Sequence, residues 1–313
     1  MCKKELTGKN WIIGTDEKYF YEYTDSSRLE YMHRIEKVIG CNWVFFEGQP
    51  SPDEVEQNKI GDCYLMAALI ALAKTHPKAI TDCFTQGLDR IEKEEDIDIR
   101  FFRRVKDGDV YKKIPVIITV NKNMVIDEKG IREGVLWPKL IEKAFAIFRK
   151  KGFDYMLPEK KNLEGGCPAT VMFAITGKEV DFKLVEREDK LSEREDRKKS
   201  KFNPENLINT IIRKLKKGMA ISCGFRGDCH SSTYFMINDA ENHEVIKMYC
   251  SHAYAVVGVN EEKKYIELIN PVKLPGEGRS GTGGSIAMSF SDFEYRCESA
   301  TYTKRKDSPL AST

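Results

Sequence analysis

Cys63 opens a run, Cys63 to Ala73, that holds no charge, no glycine and no proline. Gly61-Asp62 supplies a turn residue followed by a helix N-cap residue type. The apolar side chains fall on every face at helical spacing, so the run predicts a helix buried all round, with the cysteine in its first turn. Unpaired amides and the positive dipole end at that turn favour an anion, so the spacing predicts a readily ionised thiol. A thiol nucleophile also needs a base, a group that orients the base, and donors for an oxyanion. Of the five histidines, His33, His76, His230, His243 and His252, only His252 lies in an apolar strand-like setting, Ser251 to Val259. Ile266 to Pro271 ends the next such strand, and a hairpin of the two brings Asn270 beside the His252 ring. Gln57, upstream of Cys63, is placed to lend its side-chain amide to the oxyanion together with the Cys63 backbone amide.

Other readings of these residues are weaker. Alone, Cys63 would read as an ordinary core thiol and His252 as a satisfied strand histidine. Cys223, Cys229, His230, Cys250 and His252 fit no compact zinc spacing. Cys250, two residues before His252, is expected to share its strand face, and it reads more readily as an inert thiol than as an oxidative link near the base. An aspartate in place of Asn270 would suit acyl transfer to an amine, as in transglutaminase-like enzymes; the amide does not.

The elements that must position these groups follow from pattern. A second short helix is predicted over 77–85. Strands are predicted over 97–105 and 110–120 with a turn at Lys106 to Asp109. An amphipathic helix follows over 136–150, with Leu140, Ile141, Ala144, Phe145 and Phe148 on one face. The chain breaks at Leu163 to Pro168, and mostly strand-like material follows Val180. The mixed-charge run 186–201 reads as solvated surface, 206–217 as a helix closed by Gly218, and 219–225, 249–259 and 265–269 as strands of one antiparallel sheet. A Gly-rich turn spans 273–285, then a helical turn 291–295 and a strand 297–302. The segment 1–50, rich in aromatics with a helix near 27–37, reads as a layer over a core.

Composition narrows the class. Lysine and arginine total 51 against 49 acids, a net charge of +2, which gives no reason to expect nucleic acid or an anionic membrane as the main partner. No run approaches the length of a membrane span, and the N-terminus shows no apolar signal core or myristoylation glycine. The nine cysteines are odd in number and irregularly spaced, which favours reduced thiols and a cytoplasmic setting.

The order Cys, distant His, Asn is that of papain-like thiol proteases. The flanking motifs narrow it further: Gln57 to Ala68, Leu136-Trp137-Pro138-Lys139-Leu140-Ile141-Glu142-Lys143-Ala144-Phe145-Ala146, and Gly165-Gly166 followed by Phe173 to Gly177. Ser251-His252-Ala253-Tyr254-Ala255-Val256, Ile269-Asn270-Pro271 and Met288 to Phe293 complete the set. Together they resemble the catalytic core of calpain-family cysteine proteases over about 43–302. The resemblance implies an α+β, papain-like fold: one catalytic core over 1–313, a mainly helical subdomain over about 1–165 bearing the cysteine, and a mainly antiparallel β subdomain over about 166–313 bearing His252 and Asn270, with the cleft between them. It implies Cys63 as nucleophile, His252 as base, Asn270 as orienter and Gln57 at the oxyanion hole. Gly165, Gly166 and Ser251 would line the substrate cleft, and proteins or peptides would be the substrates.

The chain also departs from that family. Val272 stands where a tryptophan usually shields the Asn–His contact, and the 273–285 turn replaces a long tryptophan-rich loop. Ser251 replaces a glycine and is expected to tighten the cleft. Glu54 matches an acidic calcium-ligand position, but Val135 stands where the family has glutamate, and an apolar side chain cannot coordinate a hard cation. No cofactor is expected for the chemistry, and the calcium of the family is disfavoured. A calpain-like binding or regulatory module with weak turnover is the alternative function.

Overall fold

A computed structural model describes residues 12–13, 18–20, 43–46, 48–57, 60–86, 96–121, 134–149, 163, 165–185, 201–202, 206–225, 234–272 and 285–304. The helix expected near 27–37, most of the 186–201 charge run and the 273–284 turn lie outside these residues. The chain groups into two compact units. One comprises Met1–Pro50, Lys78–Asn162 and Ile175–Gly177; the other comprises Ser51–Pro77, Leu163–Ala174 and Lys178–Thr313.

In the first unit, Asp96–Asp107 and Val110–Asn121 form a long antiparallel hairpin. Ile97, Ile99 and Phe101 alternate inward opposite Val120, Ile118 and Val116, which turns one face of the hairpin into a core. Gly108 turns the hairpin at φ +61°. The first strand runs two residues further toward the turn than the alternation predicts, and the second starts at Val110 as expected. Lys18–Phe20 adds in parallel to Val110–Asn121, and Ile12–Ile13 adds antiparallel beyond it. The Trp137–Phe148 helix packs on the hairpin, and the Phe101, Phe145 and Phe148 rings meet at 5.0–5.8 Å. The helix at Pro77–Thr81 ends earlier than expected because Phe84 bridges Ile99 instead of continuing it.

The second unit is built around the Cys63–Thr75 helix. Every residue from Tyr64 to Ala73 is buried, as the uniform apolarity requires. It lies on strands His252–Asn260 and Ile221–Phe225. The Ser51–Pro77 segment therefore groups with the strands, whereas the sequence division near 165 sets that helix apart from them. A seven-stranded sheet runs in the order Ser285–Ser289, Tyr265–Ile269, His252–Asn260, Ile221–Phe225, Cys297–Thr303, Val180–Val185, Lys201–Phe202. All neighbours are antiparallel except the last pair. Leu207, Ile208 and Ile211 of the Leu207–Lys216 helix and Phe293 of the Phe290–Arg296 helix close one core with Phe225, Tyr254 and Leu268.

Three features differ from the sequence reading. Pro168–Thr176 is a helix, following the expected break, where no element was assigned. Tyr234–Asn238 and Val245–Tyr249 form an unforeseen two-stranded hairpin. The strand expected to run unbroken over 249–259 is interrupted at Cys250-Ser251, where Ser251 takes φ +51°. Cys250 thus lies outside the strand that His252 begins, and the shared face fails.

Candidate active site

The site residues all belong to the second unit. Cys63 is the first residue of its helix and half-buried, with Asp62 at the N-cap. The backbone N–H of Ala253, next to His252, points at the Cys63 sulfur, as do those of Tyr64 and Cys63 itself. Among the described residues the sulfur makes no hydrogen bond to the His252 ring. Burial pushes the thiol above its ordinary value, the nearby Asp62 carboxylate pushes the same way, and the three amides only partly offset them. The helix-terminus argument for a readily ionised thiol is therefore corrected: desolvation outweighs the amides.

His252 begins its strand, paired with Phe225 across the sheet. Its Nε2–H donates to Asn270 Oδ1 at 2.8 Å, and the same oxygen accepts the Val272 N–H at 3.1 Å. Two donors on that atom identify it as the oxygen, which fixes the ring with Nε2 protonated and Nδ1 as the free lone pair. Asn270 is fully buried, just past the end of the Tyr265–Ile269 strand. Tyr249 and Tyr254 meet the His252 ring edge-on, with centroids 5.9 and 5.0 Å away. Burial among them lowers the imidazole from 6.5 to about 4, and the Asn270 bond opposes this only in part. At neutral pH the pair rests as thiol and neutral imidazole.

Gln57 is stitched to the same loop. Its N–H donates to the Pro271 carbonyl at 2.8 Å, and it bridges Val272 in parallel. One Nε2 hydrogen goes to the Ile60 carbonyl at 2.7 Å, which leaves the second for an oxyanion. Its Oε1 meets no partner among the described residues. On the sulfur side, the Gly165 N–H donates to the Gly61 carbonyl at 3.0 Å, with Gly165 at φ +67°. A Cβ on Gly166 would lie 2.5 Å from the Tyr64 ring, so only glycine fits. Ser251 donates its N–H to the Phe225 carbonyl at 3.0 Å and holds the left-handed backbone that a glycine would adopt without strain.

The family model described as calpain family cysteine protease matches residues 16–275. This chain belongs to the calpain family of cysteine proteases. The family carries a papain-like fold, and the mixture of helix and sheet described above accords with it. Among curated proteins no match is found. As a calpain-family chain it departs at calcium. The Glu54 carboxylate accepts the Ser51 N–H at 2.8 Å within a capping box, and the Val135 side chain carries no oxygen. Among the described residues no three His, Cys, Asp or Glu side chains group as metal ligands. No step below runs through calcium.

Sequence reasoning did not assign Tyr249, Tyr254 or the Ala253 amide to the site. The signal for Tyr254 was present: it lies two residues beyond His252 in a strand, on the same face. The Tyr254 hydroxyl accepts the Tyr249 N–H at 2.7 Å and so ties the two flanking rings together.

Proposed function

We propose that this calpain-family chain is an intracellular endopeptidase that hydrolyses peptide bonds through Cys63, His252 and Asn270. The observation that carries the reading is the His252–Asn270 bond. It holds Nε2 protonated and so keeps Nδ1 as the acceptor for a thiol proton. Because the resting pair is neutral, the Cys63 proton passes to Nδ1 as sulfur attacks the peptide carbonyl. The imidazolium then protonates the leaving amine, which departs with the C-terminal product. Water, deprotonated by the same ring, releases the acyl group as a carboxylic acid and restores the thiol. Gln57 Nε2 and the Cys63 amide hold the oxyanion. Asn270 keeps the ring in one tautomer, and the Tyr249 and Tyr254 rings keep water from that contact where a tryptophan would otherwise do so.

The substrates in this reading are proteins or peptides. The free cysteines among the described residues, Cys63, Cys83, Cys167, Cys223, Cys250 and Cys297, suit a reducing cytoplasmic setting. No described helix is long and apolar enough to cross a membrane. The test is casein or peptide cleavage by the wild type and by Cys63→Ala, each with calcium and with a chelator. The reading requires cleavage that Cys63→Ala abolishes and that the chelator leaves unchanged.

One observation favours a binding or regulatory module instead: the Ala253 amide acts on the Cys63 sulfur, and no hydrogen bond joins that sulfur to the His252 ring. Peptide binding without cleavage across a broad substrate panel would select that alternative.

A further inference from the structure

The Tyr234–Asn238 and Val245–Tyr249 hairpin has two unlike faces. Phe235, Ile237, Ile246 and Met248 turn into the core of Phe225 and Tyr254. Asp239 clamps its turn: Oδ1 accepts the Glu241 and Asn242 N–H groups, each at 2.9 Å, and Oδ2 accepts the Ala287 N–H at 2.9 Å. The hairpin is a fixed platform. On the outward face Tyr234, Met236 and Val245 are 42%, 48% and 64% exposed, an apolar patch with no packing partner in its own core.

Register places these side chains together. Tyr234 lies opposite Tyr249, Met236 opposite Lys247, and Asn238 opposite Val245. The Lys247 Nζ stands 4.5 Å from the Tyr234 ring centre and 5.4 Å from that of Tyr249. Tyr249 in turn meets the His252 ring. The strip is therefore continuous from the histidine outward, and Tyr249 to Val245 spans about 13 Å at ~3.3 Å per residue.

The chemistry gives the strip a direction. The imidazolium hands its proton to the leaving amine, so that amine and the residues attached to it leave past His252. Gly165 and Gly166 lie against Gly61 and Tyr64, the neighbours of Cys63 in the chain. We propose that the outward face formed by Tyr249, Tyr234, Lys247 and Met236 holds the substrate residues C-terminal to the scissile bond. It selects bulky apolar side chains with an acidic residue among them. Aromatic and thioether faces take the apolar groups, and the lysine between two rings takes the carboxylate. An extended chain covers the strip with about four residues. This inference rests on the cysteine peptidase reading above.

The test uses two quenched peptides identical up to the scissile bond, one continuing Leu-Phe-Glu and the other Gly-Ser-Lys, and a coumarin amide with nothing beyond that bond. Wild-type kcat/KM should favour the Leu-Phe-Glu peptide by ~10-fold or more. Tyr234→Ser with Met236→Ser should erase the apolar part of that preference, and Lys247→Glu should reverse the acidic part. Equal rates on the two peptides in the wild type, or a preference that survives both variants, overturns the inference. Cleavage of none of the three substrates is a failure of the peptidase reading. The surface is then tested by fluorescence anisotropy on Cys63→Ala protein, where the Leu-Phe-Glu peptide should bind ~10-fold tighter than it does after Tyr234→Ser and Met236→Ser are added. Equal affinities overturn it.

Discussion

Asn270 Oδ1 takes two hydrogen bonds at once, from the His252 ring at 2.8 Å and from the Val272 N–H at 3.1 Å. The second bond holds the oxygen in place for the first. Because Gln57 donates its own N–H to Pro271, the segment before Cys63 is tied to the loop that orients the base. The histidine, its orienter and the segment of the oxyanion donor are thus joined through hydrogen bonds to the 270–272 loop, independent of any tryptophan at Val272.

Asn270→Ala removes the acceptor that fixes the imidazole tautomer. The expected outcome is a kcat lower by roughly 100-fold with KM little changed, measured on a peptide amide. Asn270→Asp should keep the ring oriented and recover part of the rate. A variant pair with equal rates would show that ring orientation does not limit turnover.

Acid should destabilise the protein in two windows. His252 and His76 both sit at about 4 when folded, lowered chiefly by burial from 6.5, so the unfolded chain binds more protons between those values. Stability is therefore expected to fall as pH drops from about 6.5 to 4. Burial alone would raise the Asp239 carboxyl, but its hydrogen bonds to the Ala287, Asn242 and Glu241 amides and the Asn242 side chain lower it below its ordinary 3.8. Its contribution is present above that value and lost as pH falls through the folded one. Thermal melts of wild type, His252→Gln and His76→Gln from pH 7 to 4 check the first window. Each variant should flatten the slope.

Ser251 carries the left-handed backbone that favours glycine. Ser251→Gly should gain roughly 0.5 kcal/mol, the relieved strain less the extra unfolded-state freedom of glycine. Ser251→Val should lose about 1–2 kcal/mol. Urea denaturation of the three proteins measures both.

Gly165 and Gly166 should respond differently to alanine. At Gly165 nothing lies within 4 Å of the added carbon, so only the backbone strain is felt, about 1 kcal/mol. At Gly166 the carbon meets the buried Tyr64 ring, the neighbour of Cys63, at 2.5 Å. Gly166→Ala should lose ~1–3 kcal/mol and lower kcat as well, so its stability loss should exceed that of Gly165→Ala; urea denaturation of both variants measures the difference.

What could be read from sequence, and what could not, follows from how much of each signal is local. The Cys63–Thr75 helix declares itself because ten consecutive buried residues carry no charge. The long hairpin shows the period-two alternation of Ile97, Ile99 and Phe101. The Tyr234–Asn238 hairpin hides that alternation, since Tyr234 and Met236 are apolar on the outward face too. The Pro168–Thr176 helix is masked by Gly165-Gly166 before it, which read as a break. Cys63, His252 and Asn270 were legible because each stands at or just past the end of an element. The ionisation of Cys63 and His252 was not, because it depends on burial and, at Cys63, on the charge of Asp62, and chain order does not display burial.

The most direct measurement is to treat the wild type with an epoxide thiol inhibitor and locate the adduct by mass spectrometry, alongside His252→Ala. The account predicts a single adduct on Cys63 in the wild type and little or none in the variant. Modification of a different cysteine, or equal labelling of Cys63 with and without the imidazole, would contradict it.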